Sequence, residues 1–296
     1  MVKIDNLRTE KRNDKTMNLD ELSVKEVLQI MNQEDQKVAL AVKEALPEIE
    51  EAVKTIVNAL KNNGRLVFMG AGTSGRLGVI DAAECMPTFG TTDEVIGLIA
   101  GGERAFLKAQ EGAEDSITLG IEDLKNVNFN CKDVLVGLAA SGRTPYVISA
   151  LDYARSINAK AISVSCNKDA EMSKHADIAI EVDNGPEVLT GSTRLKSGTS
   201  QKLILNMLST ASMIGIGKVY GNLMVDVKAT NLKLIERSKR IIMMATDCDY
   251  LTAEKFYELS DNHPKIAIVM ILTGCNKEEA LKRLDQGEGF VRRAIK

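Results

Sequence analysis

Leu66-Val67-Phe68-Met69-Gly70-Ala71-Gly72-Thr73-Ser74-Gly75-Arg76 runs from a short apolar segment through glycines and hydroxyl residues into an amphipathic stretch. An apolar run of this length bounded by glycine is the size of one buried strand, and Gly, Ser and Thr before a helical pattern mark a helix start. The same succession recurs downstream. Val134 to Ala139 is apolar, Ala140-Ser141-Gly142-Arg143-Thr144 turns the chain, and Pro145 opens a helix to Ser156 at a position where no N–H is wanted. Further strands are expected at Val95 to Ala100, Ala161 to Ser165 and Ile178 to Val182. Helices are expected at Arg76 to Cys85, Asp115 to Lys125, Ala170 to Lys174 and Ser197 to Gly215. Strands alternating with helices predict an α/β fold, doubly wound on a mainly parallel sheet.

Outward from this centre the pattern is helical. On the N-terminal side, Ser23-x-x-Glu26 reads as a capping box before Val27, Leu28 and Met31. A second helical period runs from about Glu34 through Val38, Val42, Ile49, Val53 and Leu60, with a kink expected at Pro47 and a stop at Asn62-Asn63-Gly64. On the C-terminal side a helix is expected from Val225 to Met244. Three short helices follow, at Thr252 to Leu259, Pro264 to Thr273 and Lys277 to Asp285, with a boundary near Asp247.

Composition removes several function classes. The formal charge is −3 and Trp is absent, so the chain lacks the basic surplus and stacking platform that nucleic-acid binding uses. Apolar stretches such as Ile266 to Leu272 fall far short of the ~20 residues a membrane helix needs. The five cysteines are scattered without a CxxC pair, which fits a reduced cytoplasm, and no export signal is visible. With two histidines in the chain, carboxylates are the better supplied acid–base groups.

Both Ser-Gly-Arg tripeptides follow a strand and precede a helix, where unpaired N–H groups and the positive end of the helix dipole suit a phosphate. Candidate phosphate ligands are Thr73, Ser74, Gly75 and Arg76 in the first turn and Ser141, Gly142, Arg143 and Thr144 in the second. A third hydroxyl-rich stretch from Gly191-Ser192 to Ser200 opens the long helix in the same way. Gly70 to Gly75 also fits the dinucleotide pattern GxGxxG. That pattern wants an acidic residue at the end of the next strand, where Gly101-Gly102 stand instead.

Four more blocks carry a resemblance: Asp81-Ala82-Ala83-Glu84-Cys85, Gly112-Ala113-Glu114-Asp115, Gly185 through Thr199, and Asn222 through Asn231. With the two turns, they make the chain similar to sugar isomerase (SIS) domain proteins and, within them, to the N-acetylmuramic acid 6-phosphate etherases. Met86, where a proline is usual, and a short Gly90 to Val95 connection are departures. The resemblance implies a SIS domain over 55–218 between an N-terminal helical extension (1–54) and a connecting helix (219–246), then a bundle similar to ubiquitin-associated modules (247–296). It implies a cytoplasmic lyase of cell-wall sugar recycling that needs no cofactor or metal. Its substrate would be a phosphosugar, its assembly a homodimer, with no nucleic-acid or membrane partner. Glu84 would be the proton donor to departing D-lactate and Glu114 the second catalytic carboxylate, assigned as base. Glu187, Ser192 and Lys196 would join the pocket. A non-catalytic phosphosugar-binding regulator and an aldose–ketose isomerase stay open as alternatives.

Overall fold

The computed structural model describes residues 7–108, 110, 112–229 and 231–296 and divides the chain into two compact units, Met1–Ala82 with Val95–Leu208 and Ala83–Glu94 with Ser209–Lys296. Thr230 of the fourth block and the first six residues of the N-terminal extension lie outside the described residues.

The first unit begins with three single 3-10 turns and helices α1 (Val24–Asp35), α2 (Val38–Lys43) and α3 (Leu46–Lys61). The capping box forms: the Ser23 amide donates to Glu26 Oε2 at 2.8 Å and the Glu26 amide to Ser23 Oγ at 3.4 Å. The single helical period expected from Glu34 to Leu60 is divided instead. Pro47 falls in the first turn of α3, where its missing N–H costs nothing, so it starts a helix rather than kinking one.

Five strands follow, β1 (Leu66–Gly70), β2 (Val95–Ile99), β3 (Val134–Ala139), β4 (Lys160–Ser165) and β5 (Ile178–Glu181), all parallel in the order β2-β1-β3-β4-β5. Every residue of β1 and β3 is buried, as expected of parallel strands covered on both faces. Helices α4 (Gly72–Phe89), α5 (Glu103–Leu107), α6 (Leu119–Asn126), α7 (Pro145–Ser156) and α8 (Lys196–Gly215) connect and cover them. Val67, Met69 and Leu135 share one core with Leu124 of α6 and Tyr146, Val147 and Leu151 of α7. On the other face α4 lies so close that a Cβ on Gly78 would come within 3.0 Å of Phe68 and 3.1 Å of Leu138.

In this strand order the chain leaves β1 towards one edge and resumes beyond β1 with β3. The reversal lies between β1 and β3, the place where open α/β sheets hold ligands at their carboxyl ends. Gly70 is registered against Leu138, so the two Ser-Gly-Arg turns leave adjacent strands.

The first turn is tighter than expected. Gly72, at φ +53°, bends the backbone so sharply that α4 begins there and not at Arg76. Gly75 packs against the strand it has just left, and a Cβ on it would sit 2.5 Å from the Gly70 carbonyl oxygen and 2.7 Å from Ile99. Gly75→Ala is therefore expected to cost about 1–3 kcal/mol, because a carbonyl in a central strand cannot give way. Gly72→Ala meets no atom within 4 Å and carries only the left-handed penalty of about 1 kcal/mol. Urea midpoints of the two variants test this ordering, and equal midpoints would contradict it.

In the second unit Gly221, at φ +61°, and Asn222 turn a hairpin of β6 (Val219–Tyr220) and β7 (Leu223–Met224). Helices α9 (Leu232–Thr246), α10 (Tyr250–Leu259), α11 (Pro264–Thr273), α12 (Lys277–Gln286) and α13 (Val291–Ala294) follow. The helix expected from Val225 starts seven residues later, at Leu232, capped by Asn231, whose side chain accepts from the Leu234 amide at 3.0 Å. Val225, Leu234, Ile241, Ala253, Ile268 and Val269 form the centre of this unit's core. Among the described residues no helix is long and apolar enough to cross a membrane.

Candidate active site

The two identical tripeptides present different groups to a ligand. In the first, the Gly75 amide already donates to the Ala71 carbonyl at 3.1 Å as the opening bond of α4. That leaves the amides of Gly72, Thr73 and Ser74 without an intrahelical acceptor, so the anion-binding end of this turn lies one step earlier than the sequence suggests. Ser74 is also less available than expected. It is 7% exposed, and its hydroxyl donates to Gln201 Oε1 of α8 at 2.9 Å.

The second tripeptide is a true turn before its helix. Gly142, at φ +71°, donates to the Ala139 carbonyl at 3.0 Å, and the Arg143 amide donates to Ser141 Oγ at 3.3 Å. Thr144 occupies the N-cap of α7 without using its side chain there, and Pro145 takes the first helical position. Thr144 and Arg143 are half-buried, at the mouth of the turn.

The third hydroxyl stretch is drawn to the same end of the sheet. Gly198, in the first turn of α8, lies so near Thr73 that a Cβ would stand 3.6 Å from its methyl group. The Cys166 amide donates to the Ala140 carbonyl at 3.0 Å, and its thiol lies 3.5 Å from Ser200 Oγ, which ties the second turn to the third. Burial pushes that thiol up to about 11, so it stays protonated and inert.

A cavity of about 100 Å³ opens at the carboxyl ends of β1 and β2. Gly72, Arg76 and Glu114 line it together with Ala71, Ala100 and Gln110. Arg76 is held to one side, with Nε donating to the Phe106 carbonyl at 3.0 Å and Nη2 to that of Ala105 at 2.7 Å. A cation at the carbonyl end of α5 is favoured there, and it fixes α5 beside the cavity. The helix expected from Asp115 begins later, at Leu119, so Glu114 stands apart from that helix. It sits exposed in a separate 3-10 turn, Ala113–Asp115, because Ser116 Oγ accepts from the Leu119 amide at 3.1 Å and delays α6.

Glu84 is exposed on the C-terminal half of α4 and is not among the residues lining this cavity. Glu187 and Lys196 depart from the sequence expectation. Glu187 is fully buried and caps α8, accepting from the amides of Lys196 and Ser197 and from Ser197 Oγ, each at 2.9 Å. Lys196 is 1% exposed and donates from Nζ to Glu34 Oε2 at 2.9 Å and to the Asn184 carbonyl at 2.8 Å. Both are spent on holding the third stretch in place. Ser192 stays half-buried in that stretch. Sequence reasoning missed Gln110 on the cavity wall and Gln201 beneath Ser74. Gln201 follows the hydroxyl stretch directly, between Ser200 and Lys202, and its contact with Ser74, 127 residues away, has no local sequence signal. Among the described residues no cluster of His, Cys, Asp and Glu has the make-up of a metal site.

The model for the glucokinase regulatory protein N-terminal SIS domain matches residues 48–155, and that for the SIS domain matches 122–211. The solved phosphoheptose isomerases from Francisella tularensis (TM-score 0.50, 19% identity, 63% of this chain and 98% of that one) and Neisseria gonorrhoeae (0.51, 17%, 64% and 98%) share the fold. The N-acetylmuramic acid 6-phosphate etherase of Bacillus cytotoxicus is 60% identical over 99% of this chain and 100% of its own length. N-acetylmuramic acid 6-phosphate etherase 2 of Lactiplantibacillus plantarum is 62% identical over 99% of both chains. Agreement at that level along the whole length, on a sheet that gathers three hydroxyl loops at one end, places the chain in the N-acetylmuramic acid 6-phosphate etherase family.

Proposed function

We propose that this chain cleaves the D-lactyl ether of N-acetylmuramic acid 6-phosphate, giving N-acetylglucosamine 6-phosphate and D-lactate for cell-wall sugar recycling. The reading is carried by the full-length identity to proteins of that name. The site's layout supports it: amides and hydroxyls at the β1 and β3 ends for an anionic ester, and a carboxylate on the adjoining cavity wall.

The chemistry needs a base at C2 and an acid at the ether oxygen, with the phosphate clamped so that both atoms are held in reach. Gly72, Thr73 and Ser74 in the first turn, and Ser141, Arg143 and Thr144 in the second, hold the phosphate. Glu114 takes the C2 proton, the C3–O bond breaks, and Glu84 gives the departing lactate oxygen its proton. Water then adds across the C2–C3 double bond, hydroxyl to C3 and proton to C2. Glu187 and Lys196 act indirectly by holding the loop that carries Ser192. The enzyme works in the cytoplasm as a homodimer.

Incubating the purified chain with N-acetylmuramic acid 6-phosphate and measuring D-lactate tests the proposal. Stoichiometric release of D-lactate and N-acetylglucosamine 6-phosphate is expected. Binding of the sugar without release would leave only a regulator.

A further inference from the structure

The second unit contains a cavity of its own, about 460 Å³, a volume in the range of small-molecule sites. Phe89, Val227 and Ala229 give it an apolar wall, while Lys218, Lys228, Asp226, Asn262 and His263 bring polar groups. Its charges do not cancel. The Asp226 carboxylate accepts from Lys265 Nζ at 2.6 Å and lies 3.7 Å from Lys218 Nζ, and Lys218 also acts on Glu94 outside the wall. Those two lysines and two carboxylates balance. Lys228 remains on the cavity wall with no carboxylate partner among the described residues, and His263 shares that wall; the carboxylate that acts on His263, Asp261, is already paired with Lys277.

Tyr257 makes this more than a basic hollow. The residue lines the cavity and is 2% exposed, yet among the described residues its buried hydroxyl has no hydrogen-bond partner. A buried hydroxyl with nothing to bond is costly, and phenylalanine would fill the same apolar space without that penalty. The oxygen therefore points to a partner from outside the chain.

We infer that this cavity binds a small hydroxylated organic anion, a carboxylate or a phosphate monoester, whose charge meets Lys228 and His263 while the Tyr257 hydroxyl donates to it. The apolar wall covers the carbon skeleton. None of these groups belongs to the turns at the β1 and β3 ends, so the site stands or falls independently of the proposed reaction.

The chain's two histidines make a local test possible: His263 is on this cavity, whereas His175 lies in the first unit with Nδ1 2.7 Å from Asp152. Their ring-proton NMR signals, assigned with His175→Gln, are followed on the intact chain at fixed pH and ionic strength during titration with D-lactate or glucose 6-phosphate. A saturable shift of the His263 signal, with that of His175 unmoved, is expected for at least one probe, and the one that acts identifies the anion class. Tyr257→Phe and Lys228→Met are each expected to weaken that binding about tenfold, the worth of one good hydrogen bond or charge contact. Tyr257→Phe removes a single oxygen, and its melting temperature without probe should equal or exceed that of the parent. No saturable His263 shift with either probe, or affinity unchanged in both variants, would overturn the inference. A lowered melting temperature for Tyr257→Phe would also count against it, since the hydroxyl would then serve the fold through a buried water.

Discussion

Glu84→Gln is expected to lower D-lactate release by about a thousandfold while leaving the fold untouched, the scale at which removing a positioned acid slows proton transfer. The side chain is exposed on α4, so exchanging carboxylate for amide removes no core contact, and circular dichroism and the melting curve should overlay those of the parent. Glu114→Gln is expected to cost as much turnover, and one further measurement separates the two roles. In deuterated water a base at C2 exchanges that proton even when the ether cannot break. Glu84→Gln should therefore keep substrate C2 exchange after losing lactate release, and Glu114→Gln should lose both. Exchange that vanishes with Glu84 and persists without Glu114 would invert the assignment, and full activity of either variant would remove that residue from the mechanism.

The local chemistry of this fold was legible because it is written in adjacent residues. Strand β3, helix α7 and helix α11 have the expected limits, since an apolar run closed by Ser-Gly, or a Pro at a helix start, needs no distant partner. The strand order was not legible. It depends on β3 pairing with β1 across the intervening β2, a non-local choice that periodicity does not encode. The same limit explains the site. Repeated Ser-Gly-Arg pointed to the two turns, but which amides remain unpaired depends on the φ of Gly72 and Gly142. Glu187 and Lys196 were expected in the pocket on the family resemblance alone, which carries no information on what buries them. The partner that buries Lys196 is Glu34, 162 residues away. The start of α6 was expected four residues early, at Asp115, because a turn closed by the Ser116 hydroxyl on the Leu119 amide leaves no mark on the apolar period.

That distant pair yields the largest stability effect expected of a single substitution. Glu34 is 3% exposed, and its carboxylate meets Lys196 Nζ at 2.9 Å, Lys15 Nζ at 3.4 Å and Lys37 Nζ. Burial by itself would raise its pKa, but hydrogen bonds and charge from Lys37 and Lys196 outweigh it and hold the carboxyl at about 2, against 4.5 for the free group. A folded value below the unfolded one means the stabilisation is complete above about pH 4.5 and is lost as pH falls towards 2, amounting to about 3 kcal/mol. Lys196→Met removes the buried partner, leaves the carboxylate under-compensated and strips the Asn184 carbonyl of its donor. A loss of about 3–5 kcal/mol is expected, read as a lower urea midpoint at neutral pH. The variant's acid unfolding should also begin at higher pH, because Glu34 without Lys196 takes up its proton sooner. Adding Glu34→Gln to Lys196→Met should recover part of the loss, since the stranded charge is gone. If the two substitutions instead add, the pair is not coupled, and Lys196 would have to be reconsidered as a group that leaves the core to meet substrate.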